Sequence, residues 1–249
     1  MRDGGAQAGL TMHSFYIESP VNNVAALPAD EARHAAKVLR LRPGDEICAM
    51  DGAGRRWRAA LTEDGRVRLI EALPDNECAA RITVYEGIPK ADKLDFIAQK
   101  LTELGAAALV PVKMERCVVK LDPKDGARRR ERLQKIAREA AKQCGRGLPM
   151  AVSELMDWRA ALEGMRRHDA LLIPWEDARG TRMKDVFAEL ANAKDIGIVV
   201  GPEGGMSPEE VDAMQAIGGR TITLGPRILR TETAAVVAAA LATQLWGDL

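Results

Sequence analysis

From Arg81 to the carboxyl terminus, short β-branched runs alternate with amphipathic stretches of helical period, and this rhythm restricts the fold more than any other feature of the chain. Strand–helix alternation requires crossover connections, and therefore a parallel sheet with helices on its faces. RITVYEGI (81–88), AAALVPVKM (106–114), DALLIPW (169–175), DIGIVVG (195–201) and RTITLG (220–225) read as the strands. KADKLDFIAQKLTELG (90–105) reads as a helix with Leu94, Ile97, Leu101 and Leu104 on one face and Gly105 as its stop. ARRRERLQKIAREAAKQCGRG (127–147) carries its apolar stripe on Leu133, Ile136, Ala137, Ala140, Ala141 and Cys144. In SPEEVDAMQAIGG (207–219), Ser207 is the predicted cap, Pro208 lies in the first turn, and Glu209 and Glu210 face the positive end of the helix dipole. TETAAVVAAALATQLW (231–246) is small and apolar all round, which predicts a helix buried on every side, in part against a second copy of the chain; Thr231 is its predicted cap.

The segment before Arg81 has a different rhythm. SFYIE (14–18), DEICAMD (45–51), RRWRAALTE (55–63) and GRVRLIEAL (65–73) alternate with a period of two and are separated by glycine-containing turns. One helical stretch, PADEARHAAKVLRL (28–41), interrupts them, with Asp30 as the predicted cap. The expectation is a small β-barrel-like domain over residues 12–74, a linker at 75–80 and an α/β domain over 81–249. Residues 1–11 are expected to be a disordered extension, with Met12 as the true start.

The start lacks the apolar core of a secretory signal, and the four cysteines at 48, 78, 117 and 144 form no C-x-x-C pair. A reduced, cytoplasmic setting without a metal site or disulfides is expected. Formal net charge is zero, yet residues 81–146 hold 16 Lys/Arg against 9 Asp/Glu, and the segments on either side are acidic. Such a basic middle is a candidate footprint for a polyanion. With aromatics at only 4% of the chain, recognition of RNA would lean on charge and shape rather than on base stacking.

Two loops are candidates for chemistry. GPEGG (201–205) follows one strand and LGPRILRTETA (224–234) follows another. The first lacks the lysine and hydroxyl of a phosphate loop, and Pro202 and Glu203 depart from the dinucleotide fingerprint. An acid at the loop's mouth also repels phosphate. Two such turns at the carboxyl ends of buried strands instead expose backbone N–H and C=O groups where open α/β sheets bind ligands, and Arg227, Arg230 and Glu232 add charge beside them.

These loops resemble the signature loops of the RsmE family of 16S rRNA uridine methyltransferases, in the S-adenosylmethionine-dependent SPOUT superfamily. QKLTELG (99–105), ERCVVK (115–120), KIAREAAKQCGR (135–146) and RHAAKVLRLRPGD (33–45) are further points of similarity, so that the resemblance covers the chain from Met12 onward. It implies a PUA-like RNA-binding domain followed by a SPOUT domain with a parallel sheet and a carboxyl-terminal trefoil knot. It also implies a homodimer, S-adenosyl-L-methionine as cofactor, no metal and no membrane, and methylation of N3 of a uridine in the decoding region of the small-subunit rRNA. Carried onto this chain, the cofactor residues are Leu172, Ile173, Pro174, Val200, Gly201, Pro202, Glu203, Gly204, Gly205, Leu224, Gly225, Pro226, Ile228, Leu229, Arg230 and Thr231.

Uridine N3–H is a weak acid, so the site must favour the imino anion by a base or by cations near the carbonyl oxygens. Arg230 is the candidate cation, Glu232 is either the base or a support for that arginine, and Glu203 is a candidate to face the sulfonium. For RNA the candidates are Arg33, His34, Arg40 and Arg42, then Arg116, Lys120 and Arg146, whereas Arg128, Arg129 and Arg130 read as a solvated helix start. A SPOUT enzyme acting on another RNA position, and a non-catalytic RNA-binding assembly factor, are the competing readings.

Overall fold

The computed structural model describes residues 12–119 and 123–249; the expected extension at 1–11 lies outside the described residues. Two compact units result. The first takes the chain up to Glu77 together with Ala141–Pro149, and the second takes Cys78–Ala140 and Met150–Leu249.

In the first unit the alternating runs become β1 (Ser14–Tyr16), β2 (Val24–Ala25), β3 (Glu46–Met50), β4 (Arg56–Leu61) and β5 (Val67–Ala72). They hydrogen-bond in the order β1-β3-β4-β5-β2, parallel between β1 and β3 and antiparallel elsewhere. The order leaves two free edges, and a register shift between Arg58 and Ala59 adds local twist, so the sheet is an open half-barrel. Phe15, Ile47, Ala49, Ala59 and Val67 are fully buried at its centre. The helical stretch is α1 (Ala29–Arg33), continued by one π-helical turn over His34–Val38. Its cap position is Pro28, not the expected Asp30, which falls in the first turn and makes no side-chain cap. Ala141–Pro149 joins this unit through buried charge pairs. Lys142 Nζ donates to Glu31 at 2.9 Å, and Arg146 donates through Nη2 to Glu77 at 2.7 Å.

The second unit contains β6 (Arg81–Gly87), α2 (Lys93–Glu103), β7 (Ala108–Lys113), most of α3 (Pro123–Cys144, whose residues from Ala141 on belong to the first unit), β8 (Ala151–Val152), β9 (Met156–Asp157), α4 (Trp158–Met165), β10 (Ala170–Pro174), α5 (Met183–Leu190), β11 (Asp195–Val200), α6 (Pro208–Ala216), β12 (Arg220–Ile222) and α7 (Thr231–Trp246). Every pairing is parallel, in the order β12-β10-β11-β6-β7-β8 with β9 added to β7. The expected parallel sheet is thus present; α4 and α5 are additional helices that the sequence pattern did not single out. Ile82, Val84, Leu172, Ile196 and Ile198 of the sheet share one core with Leu94, Ile97 and Leu101 of α2 and with Ala235, Ala238 and Ala242 of α7. Full burial of each large aliphatic side chain stabilises the fold by roughly 1.5–3 kcal/mol.

Local signals set the helix ends differently. Ser207 caps α6 as expected, and Glu210 returns a bond to the Ser207 N–H at 3.0 Å, completing a capping box. The cap of α7 is Arg230 rather than Thr231, because the Thr231 hydroxyl is taken by partners across the core. Nor is α7 buried all round: Ala235, Ala238, Ala239, Ala242 and Trp246 face the core, while Val236, Val237 and Ala240 are only half-buried.

Candidate functional site

The sheet order sets β11 and β12 on either side of β10, so the three loops leaving their carboxyl ends converge. They frame one open cleft of about 1120 Å³, lined by Pro174–Gly180 and Arg182 after β10, by Val200–Glu203, Gly205 and Met206 after β11, and by Thr223–Thr231 after β12. Two glycines permit this convergence. A Cβ on Gly87, at the end of β6, would lie 2.5 Å from Pro202 Cδ and 2.7 Å from Pro202 N, so only glycine lets the β11 loop lie so close. Gly205 has φ of 72°, the left-handed region that glycine enters without strain, and a Cβ there would sit 2.5 Å from the Glu176 carboxylate.

Beside the cleft, one lysine serves two carboxylates. Lys93 Nζ lies 2.8 Å from Glu203 and 3.2 Å from Glu232. Glu203 also accepts the Lys90 N–H at 3.0 Å. Burial works to raise the Glu203 pKa, but the hydrogen bonds from Lys93 and the backbone outweigh it, and the net shift is downward. Lys93 is shifted upward, first by its bond to Glu203, with Glu232 adding to it against slight desolvation. Beneath this pair lies Glu86, fully buried at the end of β6. Its Oε1 is 2.6 Å from the Thr231 hydroxyl, which is also 2.7 Å from the Gly201 carbonyl oxygen. Burial first, then the Glu203 and Glu232 carboxylates, push the Glu86 pKa well up, against the Thr231 bond and Lys93.

Most of the expected cofactor residues meet at this cleft: Pro174, Val200, Gly201, Pro202, Glu203, Gly205, Leu224, Gly225, Pro226, Ile228, Leu229, Arg230 and Thr231 all line it. Leu172 and Ile173 are instead buried in the core below Pro174, and Gly204 is turned toward Arg116, whose guanidinium donates to its carbonyl at 3.2 Å. Arg230 is exposed on the cleft wall, and its guanidinium has no hydrogen-bond or ion-pair partner among the described residues. Glu232 does not support it; its carboxylate pairs with Lys93.

Of the RNA candidates, Arg33, His34, Arg40 and Arg42 are exposed within one short stretch of the first unit, and Arg116 is exposed in the second. Arg40 has φ of 54°, a left-handed conformation uncommon for a side chain with a Cβ. Lys120 lies outside the described residues. Arg146 is only 4% exposed and bound to Glu77, which makes it a framework residue. Arg129 and Arg130 donate to the Ala91 and Val152 carbonyls, and Arg132 pairs with Asp92 and Asp95.

Sequence reasoning passed over Glu86, Lys93 and, beyond Pro174, the loop residues 175–182 that follow β10. Glu86 did carry a signal, being an acid inside the otherwise apolar run RITVYEGI. Lys93 carried none, since it looks like any other helix-start lysine.

A cationic, adenine-bearing cofactor fits these walls. Backbone groups from three loops can read an aromatic edge without charged side chains, the glycines leave room for close approach, and carboxylates rather than a cradle of N–H groups sit near the rim. No group of three or more His, Cys, Asp or Glu side chains suited to a metal ion occurs among the described residues. No helix among them is long and apolar enough to cross a membrane.

The RNA methyltransferase domain family matches residues 76–243, and the RNA methyltransferase PUA domain family matches residues 27–70. Ribosomal RNA small subunit methyltransferase E of Bacillus subtilis is 34% identical over 241 residues, covering 91% of this chain and 94% of its own. The protein of the same name from Mycobacterium tuberculosis is 32% identical over 234 residues, covering 90% of this chain and 88% of its own. Among solved structures, ribosomal RNA small subunit methyltransferase E from Neisseria gonorrhoeae bound to S-adenosyl methionine superposes with a TM-score of 0.84 at 34% identity, over 96% of this chain and 99% of its own. A putative methyltransferase from Legionella pneumophila, in complex with the same cofactor, superposes with a TM-score of 0.82 at 27% identity, over 96% of this chain and 99% of its own.

Proposed function

Since the chain belongs to the ribosomal RNA small subunit methyltransferase E family, we propose that it transfers a methyl group from S-adenosylmethionine to N3 of a uridine in the decoding region of 16S rRNA. The observation that carries this reading is the convergence of the three strand-end loops on one cleft, with glycines at 180, 201, 205 and 225 and prolines at 174, 202 and 226 among its lining residues.

When bound, S-adenosylmethionine supplies an electrophilic methyl group. The backbone of Val200–Glu203, Gly205 and Leu224–Thr231, together with Pro174, would hold it, while Leu172 and Ile173 brace Pro174 from the core. Positioning provides much of the rate in such a displacement, so the rigidity of these loops matters as much as their chemistry. Arg230 is the residue assigned to the uracil: its unpaired guanidinium is free to meet a carbonyl oxygen and favour the imino anion. Lys93, held between Glu203 and Glu232, keeps its charge and fixes the β11 loop to the start of α2. Glu203 is therefore assigned to the loop's geometry, and Glu232 to Lys93 rather than to Arg230.

Arg33, His34, Arg40 and Arg42, with Arg116, are assigned to the phosphate backbone, where contacts fix register. A base methylated on its pairing edge must be taken from an unpaired or flipped state. We assign a cytoplasmic site of action, where the RNA is made. A homodimer is supported by the half-buried Val236, Val237 and Ala240 on α7, and sedimentation of the purified protein tests it. In keeping with the family resemblance, the carboxyl-terminal segment is assigned a trefoil knot; β12 lies beside β10, while α7 immediately after it packs on β6 and β11.

The deciding experiment incubates the purified protein with labelled cofactor and small-subunit RNA from a strain lacking the modification, then maps the methyl group. Label on uridine N3 is expected. Label on a cytidine, a ribose or a transfer RNA would move the chain to another substrate, and absence of both label and cofactor binding would make it a binding factor.

A further inference from the structure

Glu86 carries a hydrogen-bond problem that the reading above does not use. The Thr231 hydroxyl owns one proton, yet its oxygen stands 2.6 Å from Glu86 Oε1 and 2.7 Å from the Gly201 carbonyl oxygen. Both separations are those of full O–H···O bonds, and a carbonyl oxygen has no proton to give. If Glu86 were a carboxylate, two acceptor oxygens would compete for the single Thr231 proton and one short contact would be pure repulsion. The other carboxyl oxygen, Oε2, is buried with no hydrogen-bond partner among the described residues, which is severe for an ionised group and tolerable for the carbonyl oxygen of an acid. We propose that Glu86 is a neutral carboxylic acid serving as a positioning residue: its O–H donates to Thr231 Oγ1, and Thr231 donates onward to the Gly201 carbonyl.

This chain of two bonds joins the end of β6, the first turn of α7 and the first residue of the β11 loop. It therefore locks together two of the three loops that frame the cleft, at a point under both. The arrangement also explains why α7 begins one residue earlier than its threonine suggests, since that hydroxyl is committed to the lock and cannot cap. Glu86 touches neither substrate nor cofactor; it acts through Thr231 and Gly201. Its charges of reference are Glu203 and Glu232 above it and Lys93 between them, all on elements packed over the end of β6.

The inference about loop locking rests on the cofactor reading, whereas the proton count does not, and the test separates them. Glu86→Gln keeps a donor toward Thr231 and a carbonyl oxygen at the orphan position, while Glu86→Ala and Thr231→Val break the chain. Thr231→Ser restores it. Affinity for S-adenosylmethionine is measured by calorimetry, and a difference infrared spectrum of wild type against Glu86→Gln is recorded at neutral pH. Expected are a protonated carboxylic acid band that vanishes in Glu86→Gln, affinity within about threefold of wild type for the Gln and Ser variants, and a loss of about tenfold or more for the Ala and Val variants. Absence of the acid band overturns the proposal, as does a Gln variant as weak as the Ala variant. A wild-type protein that shows the band but binds no cofactor supports the neutral acid and overturns the cofactor reading instead.

Discussion

Replacing Glu86 with Gln should change how stability depends on pH, and the sign and size of the change follow from the buried site. Glu86 is fully buried, and burial followed by the Glu203 and Glu232 carboxylates pushes its pKa well up. In the unfolded chain the same carboxyl titrates near about 4.3. Below that pH both states hold the proton and Glu86 adds no pH dependence. Above it the unfolded chain releases a proton that the native protein keeps, so native stability falls as pH rises, by up to about 1.4 kcal/mol per pH unit. The loss stops where Glu86 begins to ionise in the folded protein. Gln cannot titrate, so the stability of Glu86→Gln minus that of wild type should climb with that slope from about pH 5 upward. A constant offset of roughly 1–3 kcal/mol against the variant is superimposed, because the second amide proton has no acceptor. Glu203, Glu232 and Lys93 face the site in both proteins, and because native Glu86 is uncharged their own titrations cancel in the difference. Urea melts of both proteins at pH 5, 6 and 7, at one protein concentration, provide the assay. If the two units unfold separately, only the transition of the second should respond. A difference that stays flat across this range would mean that Glu86 is ionised in the native state, and the proton count would be wrong.

Four further outcomes are expected. Gly87→Ala puts a Cβ 2.5 Å from Pro202 Cδ and 2.9 Å from Met114 Sδ, and should cost about 1–3 kcal/mol while loosening the cofactor loop; unchanged stability and affinity would show that the loop can yield. Ser207→Ala breaks the capping box of α6 and should lower stability by about 1 kcal/mol in a thermal melt, with Ser207→Thr recovering most of it. Arg230→Ala should lower kcat by about 10²–10³ with a much smaller effect on cofactor affinity; an equal loss in both would make Arg230 a cofactor residue only. Arg33→Ala combined with Arg40→Ala should flatten the log–log salt dependence of RNA binding by about 0.7–0.9 for each phosphate contact removed, and an unchanged slope would take these residues off the RNA.

The strands and long helices were legible because their signals are local and periodic. The run DIGIVVG can be little else than a buried strand, and Ser207 with Glu210 three residues on is a cap that needs no distant partner. Thr231 looked the same as Ser207 in the sequence, a hydroxyl before a helix, but Glu86 lies 145 residues away and claims it. Asp30 likewise had the right type and the wrong offset, because Pro28 takes the cap position ahead of it. Arg146 sits in a basic segment and looked available to RNA, yet Glu77 removes it from solvent.

By itself the sequence determined a small β-rich, barrel-like domain and a parallel sheet, since the periods of two and of 3.6 fix which faces must be buried; that the first sheet stays open was settled by its strand order. It also pointed, through GPEGG and LGPRILRTETA, to the two strand ends whose loops line the cleft. Only the tertiary structure decided that β12 returns beside β10 so that the loops meet, that Lys93 joins two acids from different elements, and that Glu86 lies fully buried beneath them. Those are properties of distance and dielectric between residues far apart in the chain, and no local pattern encodes them.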